Sequence, residues 1–285
     1  MKIFDITLPI LLLFGFSFFF NTVEFHLPNP EYLPGNVLSK FIHVNDSFDE
    51  FNRLVSLVKK IPGDYSIYIK DVKSNRSYKY NIDQKYYAAS LFKLPVGIAV
   101  LHQVDLGNVS LSTKLKYLPQ HFADGTGVIN QSPYGTEYTI DELLGYLFKQ
   151  SDNVAQNMLL DYLDVNSDSV SSVFPDGGKT DYYHVNNSSA GEIGEYLSFI
   201  YTSDFLSEDS KSYLINVMKD TSFDYLLADY ISVPFSNKIG LSGGSIHSCG
   251  IIPDKSLVLC VMSGRTGSTR FMEVSKLLGT FINSL

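Results

Sequence analysis

Apolar residues first settle into a regular pattern at Phe48, Phe51, Leu54, Val55 and Val58, which follow Asp46 or Ser47 at a cap position. That spacing predicts an amphipathic helix over 47–60, ended by Pro62-Gly63. Residues 65–71 alternate in the strand manner with Ile67 and Ile69 on one face, the polar stretch 73–76 turns, and 77–82 returns as the second strand of a hairpin. A helix over 91–104 follows, opened by Ser90, with Pro95 in its first turn where a missing N–H costs little, and stopped at Gly107. After a loop-rich stretch over 108–138, Thr139 and Glu142 form a capping box for the next helix. Further helices are predicted over 153–163, 189–201 and 207–219, with an irregular segment at 164–184. Strands over 235–241, 246–252 and 257–262 and a helix over 271–282 close the chain. Strands at both ends with helices between predict an α+β fold of two lobes. One antiparallel sheet, formed by the N- and C-terminal segments, is flanked by helices, and the second lobe is all-helical.

The start of the chain has a different character. Lys2 precedes an uncharged run over 6–20, and the next charged residue is Glu24. Residues 1–23 are therefore expected to be a signal anchor or a signal peptide, the anchor being favoured because no small-x-small cleavage site follows. Either one implies export: anchored on the extracytoplasmic side of the membrane, or secreted if the segment is cleaved. Residues 24–46, punctuated by Pro28, Pro30, Pro34 and Gly35, read as a linker, and 47–285 as one domain. A formal net charge of -8 argues against a general nucleic-acid partner. Cys249 and Cys260 flank the Pro253-Asp254 turn almost symmetrically, which suits a cross-strand disulfide or two buried thiols equally.

Candidate chemistry begins at Tyr87-Ala88-Ala89-Ser90-Leu91-Phe92-Lys93. Three residues apart on a helix, Ser90 and Lys93 share a face, and a lysine that takes the proton is one way to activate a serine. The same spacing at Ser56-Leu57-Val58-Lys59 has nothing to support it, so the motif means little alone. Ser151-Asp152-Asn153 stands between two predicted helices and is by itself a good N-cap. Lys238-Ile239-Gly240 lies on a predicted strand, where a glycine lets a substrate approach the strand edge.

Together and in this order the three motifs resemble those of the class A β-lactamase-like family of penicillin-recognising serine hydrolases: S-x-x-K, S-D-N and K-T-G. The stretches around Gly125, Tyr138-Thr139-Ile140-Asp141-Glu142 and Gly244-Ser245-Ile246-His247 extend the similarity over about 47–285. The resemblance implies that Ser90 is acylated, that Lys93 is its proton partner and that Ser151 acts with them. Asn153, Lys238, Gly240 and Ser242 would bind the substrate. The backbone N–H groups of Ser90 and Ser242 would form an oxyanion hole. No metal or organic cofactor is implied. The expected partner is a β-lactam or a peptidoglycan stem peptide, bound by a monomer.

Two departures stand out. Ile239 replaces the threonine of K-T-G, removing a hydroxyl whose bond to a substrate carboxylate would contribute about 1.5–3 kcal/mol, and Arg265 is a candidate replacement partner. Class A β-lactamases deacylate with a glutamate on the loop after S-D-N, whereas this chain has none between Glu142 and Glu192. The corresponding segment holds Asp164, Asp168, Asp176 and Asp181. The resemblance thus implies a β-lactamase-like serine hydrolase with slow deacylation. A D-alanyl-D-alanine peptidase or penicillin-binding protein, and a non-catalytic wall-binding module, are the alternatives.

Overall fold

A computed structural model describes residues 35–162 and 186–285. The expected signal segment at 1–23 and the four aspartates between 164 and 181 lie outside the described residues. Residues 47–285 form one compact unit.

Helix α1 (Gly35–Val58) covers the 47–60 prediction as far as Val58, with 59–60 in a turn, and begins earlier, at Gly35 within the expected linker. Strands β1 (Asp64–Asp71) and β2 (Ser77–Tyr80) make the N-terminal hairpin, and β3 (Lys85–Tyr87) leads into a 3-10 turn over Ala89–Phe92. Helix α2 (Lys93–Asp105) follows, then β4 (Lys114–Lys116), β5 (Glu137–Thr139), α3 (Ile140–Lys149) and α4 (Asn153–Tyr162). After β6 (Asn187–Ser189) come α5 (Ala190–Thr202) and α6 (Glu208–Val217). Strands β7 (Ser236–Ser242), β8 (Ser245–Ile252) and β9 (Leu257–Gly264) and helix α7 (Gly267–Ser284) complete the chain.

The five-stranded antiparallel sheet has the order β2-β1-β9-β8-β7, so the first and last thirds of the chain meet where β1 pairs with β9. Both faces are covered, which the alternation of 65–71 did not disclose. Ile67, Ile69, Leu259 and Val261 pack with Phe51 and Leu54 of α1 and Phe271 and Leu278 of α7. Tyr68, Val258 and Met262 face the other way, against Ile193 and Leu197 of α5. Cys249 and Cys260 are register partners and form a disulfide, deciding between the two sequence readings. The helical lobe is built on α2, α3 and α4, with Leu94, Ile98, Leu143, Leu147 and Met158 in one continuous core. The Thr139–Glu142 capping box forms as predicted: Glu142 N–H donates to Thr139 Oγ1 and Thr139 N–H to Glu142 Oε2.

One expectation fails. Ser90 does not open the α-helix but lies inside the 3-10 turn, and α2 begins at Lys93 with Phe92 before it. Ala89 adopts a positive φ of 52°, which turns the chain sharply into Ser90.

Candidate active site

The 3-10 turn, the α3–α4 junction and edge strand β7 surround a cleft of about 380 Å³. Ser90, Lys93, Ser151, Asn153, Ile239, Leu241 and Ser242 line it. Three motifs separated by up to 148 positions in the sequence, from Ser90 to Lys238, thus reach one place.

Lys93 Nζ donates to Ser90 Oγ at 3.0 Å and to Asn153 Oδ1 at 2.7 Å. Its side chain is buried, and burial pulls its pKa down from 10.5 to about 8, with the Asp152 carboxylate opposing the shift. A lysine held in that range has an appreciable neutral fraction near neutral pH, which an ordinary lysine lacks. Among the described residues no acidic side chain lines the cleft, and Lys93 is the one cationic group that does.

Lys238 is fully buried; its Nζ donates to Ser151 Oγ and to Ile239 O, each at 3.0 Å. Burial, reinforced by the nearby Lys93 charge, holds its pKa well below the ordinary lysine value. Ser151 sits at a positive φ of 55° between α3 and α4, and its hydroxyl is thereby turned toward β7.

Asp152, read from the sequence only as part of a cap, organises this wall of the cleft. Its Oδ1 accepts from the N–H groups of Val154 and Ala155 at 2.8 and 2.9 Å, capping α4. Its Oδ2 accepts from Val128 and Ile129 N–H at 2.6 and 3.0 Å, tying the 125–129 loop to the same point. Gly127, at φ 108°, passes directly over the carboxylate, and a Cβ there would collide with it. Asn153 is fixed in turn: its Nδ2 donates to Asp124 O at 2.8 Å, which leaves Oδ1 to Lys93.

The β7 edge decides which backbone donors face the cleft. Asn237 N–H donates to Met218 O at 3.0 Å, away from β8. By the period of two, the N–H groups of Ile239 and Leu241 point the same way, while that of Ser242 points toward its partner Ser245. The outward donor nearest the turn is therefore Leu241, not Ser242. Ser90 N–H has no hydrogen bond among the described residues. Gly240 stands behind these groups, where a Cβ would come 2.6 Å from Ala88 O. Arg265, the candidate carboxylate partner, is exposed and is not among the described residues lining the cleft.

Two residues outside the expected set secure the turn. His247, paired with Gly240 across β7 and β8, donates from Nε2 to Tyr87 O at 2.9 Å and accepts Ser263 N–H at Nδ1. Burial lowers its pKa from 6.5 to about 4, so it is the neutral Nε2–H tautomer. Asn186 donates from Nδ2 to Ala89 O at 3.1 Å. The glycine-rich hairpin pattern around His247 is visible in the sequence; Asn186 belongs to no motif, and no signal there points to it.

A family model described as "Beta-lactamase enzyme family" matches residues 48–280. The chain is 34% identical over 84 residues to the β-lactamase VEB-1 of Pseudomonas aeruginosa, an alignment covering 29% of this chain and 28% of that protein. It is 28% identical over 115 residues to a β-lactamase of Streptomyces lavendulae, covering 39% and 38%. These alignments thus span well under half of either relative. Among solved structures, PBP-A superposes with a TM-score of 0.73 at 23% identity, over 83% of this chain and 97% of that one. A Leu-to-Glu mutant of PBP-A has been solved as an acyl-enzyme complex with penicillin G.

Proposed function

The chain belongs to the beta-lactamase enzyme family of serine hydrolases, and from that premise we propose that β-lactams acylate it at Ser90 and that the acyl-enzyme deacylates slowly. The observation that carries this is the Lys93–Ser90 contact: an amine 3.0 Å from the hydroxyl, with its pKa lowered to about 8 by burial. Neutral Lys93 accepts the Ser90 proton as Oγ attacks the lactam carbonyl, forming the Oγ–C bond. The N–H groups of Ser90 and Leu241 are the oxyanion donors. As the C–N bond breaks, the leaving nitrogen takes a proton from Ser151, whose hydroxyl Lys238 holds. The proton gained by Lys93 then restores Ser151.

Slow deacylation is supported by the missing glutamate between Glu142 and Glu192. A positioned general base typically contributes a factor of about 10²–10⁴. Intact-mass measurement after mixing with penicillin G tests both halves. We expect a stable adduct on the wild type and none on Ser90→Ala. Rapid multiple turnover of nitrocefin would overturn the claim about deacylation, and no adduct at all would favour a non-catalytic binding module.

The same missing base favours a second reading, a penicillin-binding peptidase that acts on D-alanyl-D-alanine stem peptides and is inhibited by β-lactams. Release of D-alanine from such a peptide would support it. Export is proposed as well, either with residues 1–23 as a membrane anchor or with that segment cleaved. The Cys249–Cys260 disulfide supports it, since such bonds persist in oxidising compartments. Fractionation of cells carrying the full chain checks this: recovery in the cytosol with free thiols would refute it.

A further inference from the structure

Asn186 makes two contacts to the short peptide run that delivers Ser90. Its backbone carbonyl accepts Ala88 N–H at 2.8 Å, and its Nδ2 donates to Ala89 O at 3.1 Å. Ala89 is held at φ 52°, a left-handed conformation that a residue with a Cβ adopts only when its surroundings impose it. In a trans peptide the carbonyl and the following N–H point in opposite directions. A donor that fixes Ala89 O therefore fixes the direction of Ser90 N–H, which carries no hydrogen bond among the described residues.

The amide's orientation is not arbitrary. Ala89 O can only accept, so Nδ2 must face it, and Oδ1 is buried with no partner among the described residues. Asn186 itself sits at φ 46°, a conformation asparagine tolerates better than most residues. The other end of the run is held separately, by His247 Nε2 on Tyr87 O, so the Ala89–Ser90 peptide is left to Asn186.

We propose that Asn186 is a positioning residue for acylation: its amide locks the left-handed Ala89 peptide so that Ser90 N–H is presented to the developing oxyanion. The inference rests on the reading of Ser90 as the nucleophile. It concerns the rate of acylation and not ground-state binding, because the oxyanion exists only beyond the ground state.

Two variants separate this from a structural role. Asn186→Gly keeps the backbone conformation and removes the amide. Asn186→Asp keeps the shape and sets a carboxylate oxygen against Ala89 O. Stopped-flow acylation by nitrocefin over a concentration series resolves the non-covalent Kd from the limiting acylation rate. Losing an oxyanion donor outright costs about 10²–10³ in rate, so misdirecting one is expected to slow acylation roughly 10- to 100-fold. Kd is expected to stay within about threefold and the melting temperature of Asn186→Gly to change little. In Asn186→Asp the deficit relative to wild type should shrink as pH falls and the carboxyl regains a proton to donate, a rescue that a packing role would not produce.

Acylation within twofold of wild type in both variants would overturn the inference. So would a loss confined to Kd, or a pH-independent deficit in Asn186→Asp accompanied by a fallen melting temperature in Asn186→Gly. An unacylated wild type would overturn the reading of Ser90 and this inference with it. An acylated wild type with unaffected variants overturns the role of Asn186 alone.

Discussion

Replacing Asp152 with asparagine removes one atom's charge and two hydrogen bonds, and the structure fixes what that costs. Both carboxylate oxygens are occupied, Oδ1 by the N–H groups of Val154 and Ala155 and Oδ2 by those of Val128 and Ile129. An amide offers one acceptor oxygen, so one of the two N–H pairs must face an NH2 group instead. Hydrogen bonds to a charged group contribute about 1.5–3 kcal/mol each, so two lost bonds cost about 3–6 kcal/mol. Relief of the buried charge offsets part of this, which places the expected loss near 3 kcal/mol at neutral pH. For a domain stable by about 5–15 kcal/mol that is a large fraction. Urea denaturation measures it directly. The substitution also removes the carboxylate that raises the Lys93 pKa, so surviving protein should acylate with a pH midpoint below that of wild type. A destabilisation under about 1 kcal/mol together with an unmoved midpoint would refute the view that Asp152 both ties the cleft wall and tunes Lys93.

Three further outcomes follow from the site. The acylation rate of the wild type should rise with pH through a midpoint near 8, as Lys93 loses its proton, and Lys93→Met should form no penicilloyl adduct on the same timescale; a flat profile would remove Lys93 as the base. Gly240→Ala sets a methyl 2.6 Å from Ala88 O, and overpacking of this kind costs about 1–3 kcal/mol, so acylation should slow at least tenfold by nitrocefin kinetics; an unchanged rate would mean that β7 and the turn are freer to separate than their packing suggests. His247 has a folded pKa of about 4 against 6.5 unfolded, so its contribution is fully present above pH 6.5 and is lost as pH falls toward 4. The shift corresponds to about 3 kcal/mol, and His247→Gln should flatten that part of the stability–pH curve.

Much of the architecture was legible because local chemistry decides it. Helical spacing at Phe51, Leu54 and Val58, the Thr139–Glu142 box and the Pro253-Asp254 turn each act over a few residues, and each element formed where those residues stand. Ser90, Lys93, Ser151 and Lys238 were legible for another reason: the order and spacing of three motifs carry a family's chemistry even when each alone is uninformative. Longer-range facts were not written in any window. Whether Ile67 and Tyr68 face solvent or core depends on helices more than a hundred positions away covering both sides of the sheet.

The sequence by itself determined the elements, the three motifs and the missing glutamate, because these are matters of residue type and short spacing. Only the tertiary structure decided that Ser90 belongs to a 3-10 turn, that Leu241 and not Ser242 presents its N–H, and that Asp152, Asn186 and His247 hold the cleft in shape. The physical reason is common to all of them. A hydrogen bond's direction and a lysine's pKa depend on what packs around the group, and that environment is assembled from segments the chain keeps far apart.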